Sequence, residues 1–201
     1  MKILCIADEE YKTYWDFFSK DDFKDIDLII SCGDLKASYL SFLTTMTSIP
    51  VLYIRGNHDD GYKTDPPQGC ICIEDDIFSF QGVRILGLGG SQRYKQGINQ
   101  YTEREMRKRI TKLKFKLWFH RGFDILVTHS PARGFHDGTD LCHQGFQIFL
   151  TLIDKYHPKY FVHGHVHLSY GRQFQREDMI GDTKVINACL LYTSDAADEE
   201  D

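Results

Sequence analysis

No hydrophobic run in this 201-residue chain approaches the roughly 20 residues a membrane-spanning helix needs, so no transmembrane segment is expected. A secretory leader is not expected either: one lysine and five apolar residues, Ile3 to Ala7, give way at once to Asp8, Glu9 and Glu10. The six cysteines (Cys5, Cys32, Cys70, Cys72, Cys142 and Cys189) show neither CxxC pairing nor the spacing of a disulfide framework. Reduced thiols and a cytoplasmic location are therefore expected. There is no internal repeat. The glycine-rich GLGGS stretch, Gly87 to Ser91, lacks the Lys-Ser/Thr ending of a nucleotide phosphate loop and reads as close packing between strands.

An excess of one charge is also absent once the end of the chain is set apart. Residues 189–201, CLLYTSDAADEED, resemble the translation of a transposase adapter used in sequencing libraries, and their polar, acid-rich composition begins abruptly after KVINA. They hold five acids (Asp195, Asp198, Glu199, Glu200, Asp201) and no Lys or Arg, so the chain's 29 acids fall to 24 against 24 bases. Residues 1–188 are expected to form one neutral domain, large enough for a single core, with 189–201 a non-native tail; the alternative is a natural acidic tail.

What the chain does have is alternation. Short Ile/Val/Leu-rich runs at 2–7, 27–31, 51–55, 71–73, 77–80, 83–88, 124–128, 160–162, 171–175 and 184–187 read as buried strands. Residues 11–20, 37–47 and 145–156 read as helices, the last halted before Pro158. Residues 102–120 read as one long basic helix, with Thr102 and Glu105 spaced for a capping box. Residues 60–69, DGYKTDPPQG, read as a loop. The β–α–β–α–β opening argues for a layered α/β sheet, whose sites gather beyond the carboxyl ends of strands.

Five polar clusters sit at such ends: Asp8 and Glu10, Gly33-Asp34, Arg55-Gly56-Asn57-His58-Asp59, Thr128-His129, and HGHVH from His163 to His167. Alone, Gly-Asp is common turn chemistry and Asn-His-Asp a common cap. In extended backbone, residues two apart share a face, so His165 and His167 can address one ion, with His163 deeper and packed. Asp8, Asp34, Asn57, His129, His165 and His167 form a mixed oxygen/nitrogen donor set suited to Mn²⁺, Fe or Zn²⁺. There are enough donors for two ions and no thiolate among them, which favours a catalytic pair over a structural zinc site.

In this order the motifs resemble the calcineurin-like metallophosphoesterase superfamily, over residues 8–167. The resemblance implies a four-layer αββα sandwich with a dinuclear centre at the strand ends. It implies that Asp34 bridges the ions, that Asp8, residue 10 and His167 hold one, and that Asn57, His129 and His165 hold the other. It further implies attack on phosphorus by a metal-bridging hydroxide, with His58 as general acid. The family's first motif reads Asp-x-His; here Glu10 replaces the histidine. Continued two-residue alternation would aim Glu10 where Asp8 points. Asp8, Glu10, Asp34 and a hydroxide would balance two divalent ions, biasing the site toward Mn²⁺, with Fe or Zn²⁺ as alternatives. The other reading turns Glu10 to solvent and leaves that position weak.

Asp59 is expected to orient His58 or to cap the next segment. Arg55 is expected to clamp a phosphate oxygen or to sit at the surface. From SPARGFHDGTDLCHQGF, His143 is the candidate lining the substrate mouth. The expected function is hydrolysis of a small phosphate ester, phosphodiesters before monoesters because no large cap domain is visible. Nucleic acid enters as a partner only through the basic helix, and no membrane partner is expected. The alternative is a binding scaffold on the same fold with a weak or inactive site.

Overall fold

The first strands carry apolar residues on both faces, which suits strands buried between two layers. In the computed structural model, which describes residues 1–167 and 175–195, these runs are β1 (Lys2–Ile6), β2 (Leu28–Ser31) and β3 (Val51–Tyr53); β4 (Ile71–Cys72), expected to be buried, is an exposed two-residue edge strand. They pair in parallel as β1-β2-β3-β4, and β13 (Tyr192–Asp195) joins the β1 edge antiparallel. A second, six-stranded sheet has the order β11-β12-β10-β9-β6-β5. Its strands are β5 (Asp76–Phe80), β6 (Val83–Leu88), β9 (Ile125–Thr128), β10 (Tyr160–His163), β11 (Glu177–Ile180) and β12 (Thr183–Asn187). The short β7 (Ser91–Gln92) and β8 (Gln100–Tyr101) form a third ladder.

The core shows the layering. Ile3, Cys5, Leu28 and Ile30 of the first sheet pack with Ile85, Ile125, Val127, Val162 and Ile186 of the second, so the sheets lie face to face. Their other faces are covered separately. Leu4, Ile6 and Ile29 meet Tyr14 of α1 (Lys12–Asp16) and Tyr39, Leu40 and Leu43 of α2 (Ala37–Thr47). Leu86, Leu126 and Phe161 meet α3 (Glu103–Lys112), α4 (Lys114–Phe119) and α5 (Gln147–Tyr156). The four-layer αββα sandwich is thus present.

Differences from the sequence reading have local causes. The helix expected over 102–120 divides at Leu113 (φ −80°, ψ −4°), so that Ile110, Leu113 and Leu117 all reach one core. Its capping box forms as expected: Glu105 N–H donates to Thr102 Oγ1 at 3.3 Å and Thr102 N–H to Glu105 Oε2 at 2.8 Å. The helix expected over 11–20 is confined to α1, because aromatic-rich YWDFF supplies weak helix formers and no side-chain cap. Part of the expected 60–69 loop is a 3₁₀ turn, Asp59–Lys63. The strand expected over 171–175 lies outside the described residues except Gln175, which is in no strand. In the segment set apart as a tail, β13 pairs with β1 and Cys189 bridges Ala7.

Candidate metal centre

Parallel strands β1, β2, β3, β9 and β10 deliver their carboxyl ends to one rim, and each is followed at once by a sharp turn. Asp8 (φ 64°), Asp34 (φ 57°) and His165 (φ 71°) occupy left-handed backbone, uncommon for residues with a Cβ. Three of the ten non-glycine residues with positive φ among the described residues thus fall at this rim, on three different loops. Gly56 is required there: a Cβ would sit 2.0 Å from Asp34 Oδ1.

Asp34, His129 and His165 place ligand atoms within 4.8 Å of one another. His129 is fully buried, with Nδ1 2.8 Å from the Cys32 carbonyl. A carbonyl only accepts, so Nδ1 carries the proton, and Nε2 faces Asn57 Oδ1 at 2.9 Å and Asp34 Oδ2 at 3.3 Å. His165 repeats the pattern: Nε2–H donates to the Cys142 carbonyl at 2.6 Å, leaving Nδ1 as the lone-pair donor. Metal-binding histidines characteristically give their second nitrogen to a backbone carbonyl in this way.

Electrostatics agree. Burial, with the neighbouring Asp34 charge, pushes Asp8 up to about 6, although His129 and the His165 N–H oppose the rise. Burial would raise Asp34 too, but the charge and hydrogen bond of His129 hold it at about 2. Burial would lower His129, yet Asp34 and Asp8 raise it to about 9, so an imidazolium neutralises the carboxylates. Burial and the His129 charge lower His165 to about 3 and keep it neutral. Two buried carboxylates, an amide oxygen and the neutral His165 fit a divalent cation, which would take the place of the His129 Nε2 proton and hold both carboxylates ionised.

The other expected site residues fall as follows. Asp8 receives the His165 N–H on both carboxylate oxygens, at 2.9 and 3.1 Å. His58 is exposed, and its N–H is anchored to Asp34 Oδ1 at 2.8 Å. Asp59 accepts the N–H groups of Asp34 (2.8 Å) and Gly56 (2.7 Å), which ties the second and third loops together. Arg55 lies beside Glu74 (NH1–Oε2 3.9 Å), whose carboxylate also accepts the Arg55 N–H. His143 packs against His165 with ring centroids 5.4 Å apart and pairs with Asp140 at 2.8 Å.

At the first motif the structure departs from the sequence reading. Left-handed Asp8 ends the two-residue alternation, so Glu9, not Glu10, faces His167 (Oε1–Nδ1 2.8 Å). Glu10 turns toward Lys36, 3.4 Å away. Sequence reasoning also missed the Cys142 carbonyl and Tyr94, whose hydroxyl accepts from Asn57 Nδ2 at 3.4 Å. A main-chain acceptor leaves no mark in side-chain identity. A cleft of about 360 Å³ opens beside this rim, lined by Asp34, Leu35, Lys36, His58, Asp59 and Tyr62 among others.

A family model described as calcineurin-like phosphoesterase matches residues 1–169. Among curated proteins the chain is similar to UPF0046 protein K07C11.7 of Caenorhabditis elegans, 25% identical over 85% of this chain and 65% of that protein. The chain thus spans just under two thirds of that relative. Among solved structures it resembles TT1561 of Thermus thermophilus (TM-score 0.67, 16% identity, covering 96% of this chain and 97% of that one). It also resembles GAP50, the anchor in the inner membrane complex of Plasmodium (TM-score 0.51, 12% identity, covering 93% and 70%). At these identities the two structural likenesses concern the fold alone.

Proposed function

The chain belongs to the calcineurin-like phosphoesterase family, and from that premise we propose that it is a metal-dependent phosphoesterase acting on small phosphate esters, phosphodiesters before monoesters. The observation that carries this reading is the convergence of Asp34, His129 and His165 within 4.8 Å at the rim of the sheets. Asp34, Asn57, His129 and His165 would hold one cation. Asp8, His167 and the carboxylate beside it, Glu9, would hold a second, with Asp34 shared. Manganese is the proposed ion because carboxylate and amide oxygens make up much of the set.

Bound divalent cations would supply Lewis-acid charge to the phosphoryl oxygens and activate water. The chain's own groups do the rest. His129 and His165 keep their donor nitrogens aimed at the rim by giving the opposite N–H to Cys32 and Cys142. Asp59 fixes the loop pair that carries Asp34 and Asn57. The proposed general acid is His58, which would protonate the departing oxygen; its exposure at the cleft and its main-chain bond to Asp34 support this role. The cleft beside it would admit a second ester substituent, which is the ground for proposing diesters before monoesters.

The test is manganese-dependent hydrolysis of bis-p-nitrophenyl phosphate against p-nitrophenyl phosphate. His58→Ala is expected to lower kcat by about 10²- to 10⁴-fold without changing metal content. A folded, metal-loaded wild type with no turnover on a phosphate-ester panel would favour the binding-scaffold reading instead.

A further inference from the structure

Far from the metal centre, α4 exposes three large aromatic side chains: Phe115 at 72%, Trp118 at 78% and Phe119 at 77%. The spacing i, i+3, i+4 puts them on one face, and the opposite face contributes Leu117 to the core. A groove of about 710 Å³ runs beside this face, lined by Leu117, Trp118, Phe119 and Tyr156 together with Lys114, Arg121 and Lys155. Exposed aromatics packed this densely are unusual on a water-facing surface.

Their electrostatic setting is equally one-sided. Residues 106–121 contain seven Lys and Arg and no Asp or Glu, in a domain whose residues 1–188 balance 24 acids against 24 bases. Some of these cations are engaged: Arg107 pairs with Glu103, Arg109 binds Glu74 and Asp75, and Lys116 binds Asp76. Those around the groove lie with the aromatics, Lys114 Nζ 5.1 Å from the Phe115 centroid and Lys155 Nζ 5.1 Å from that of Tyr156. An occupant must therefore be apolar where it meets the rings and anionic around them.

We propose that α4 and its basic surround dock the protein on an anionic lipid surface, the rings entering the interfacial zone and the cations meeting phosphate headgroups. Aromatic side chains flanked by Lys and Arg on a short amphipathic helix are the pattern of such peripheral anchoring. The long stems of Lys114, Arg121 and Lys155 can lie along the apolar layer while their charges stay at headgroup level. Placement supports the same reading. α4 lies before β9, and Tyr156 before β10, whereas His129 and His165 follow those strands. Docking through α4 thus leaves the metal rim facing away from the lipid and open to water. No helix of the described residues is long and apolar enough to cross a bilayer.

Co-sedimentation with vesicles of equal parts phosphatidylglycerol and phosphatidylcholine, compared with phosphatidylcholine alone, tests this without any turnover. The full chain is expected to partition to the anionic vesicles and to be released by salt. Trp118→Ser/Phe119→Ser and, separately, Lys114→Glu/Lys155→Glu are each expected to weaken partition by about tenfold or more while metal content stays unchanged. Equal partition of wild type and both variants would overturn the proposal. So would an absence of vesicle binding by the wild type; if the same substitutions then abolish self-association or binding of oligothymidylate, the face belongs to a second copy or to single-stranded nucleic acid.

Discussion

Asp59 is the residue through which the rim is assembled. It is 5% exposed, its pKa is raised to about 6 by burial and then by the Asp34 charge, and it accepts two backbone N–H groups from the loops that bear Asp34 and Asn57. Asp59→Asn keeps the shape but removes the negative charge from the oxygen, Oδ2, on which both N–H bonds converge. Metal affinity or activity is expected to fall by about 10- to 100-fold, measured by metal titration and by initial rates, with little change in thermal midpoint. Glu9 and Glu10 give a sharper comparison. Glu9→Gln is expected to weaken the second cation, read from metal stoichiometry, and Glu10→Gln to leave it near the wild-type value; the reverse order would return the role to Glu10. The gathering of Asp8, Asp34, Asn57, His129 and His165 at one rim was legible because each stands just past an apolar run. The Glu9/Glu10 exchange was not, because it turns on the left-handed backbone of Asp8, which only the packed loops impose.

Element boundaries follow the same division between local and tertiary causes. The capping box of α3 was legible, since both of its members lie within four residues, and Thr102→Ala is expected to cost about 1 kcal/mol in chemical denaturation. The break at Leu113 was not, because no Gly or Pro marks it and burial of three separated apolar side chains decides it. Strands β6 and β9 are joined at their amino ends by Arg84, whose Nε and NH2 reach Asp124 at 2.9 and 2.6 Å and whose N–H donates to the same carboxylate at 2.8 Å. The Arg84 hydrogen bond holds the Asp124 carboxyl below its ordinary value. A depressed folded pKa gives stability that is present above the unfolded value near 3.9 and lost as pH falls through the folded one. Asp124→Asn should therefore be less stable than wild type at neutral pH, with the gap closing in acid; a gap that persists unchanged at low pH would refute the ion-pair assignment.

The whole molecule is two sheets closed on one apolar layer, with helices sealing the outer faces. Ile30 is fully buried between the sheets, and Ile30→Ala is expected to cost about 2–5 kcal/mol without displacing the metal ligands. The layering could be anticipated from strands apolar on both faces, but the aromatic face of α4 could not, because the pattern that marks a buried stripe also marks an exposed one. We propose that residues 1–188 are the functional domain; β13, which lies beyond them, caps the β1 edge. Everything functional depends on the rim gripping divalent cations. The direct measurement is elemental analysis of the protein after manganese loading and gel filtration, alongside Asp34→Ala. About two ions per wild-type chain, and a loss of most of them in the variant, is the expected result; a folded wild type that retains no manganese would contradict it.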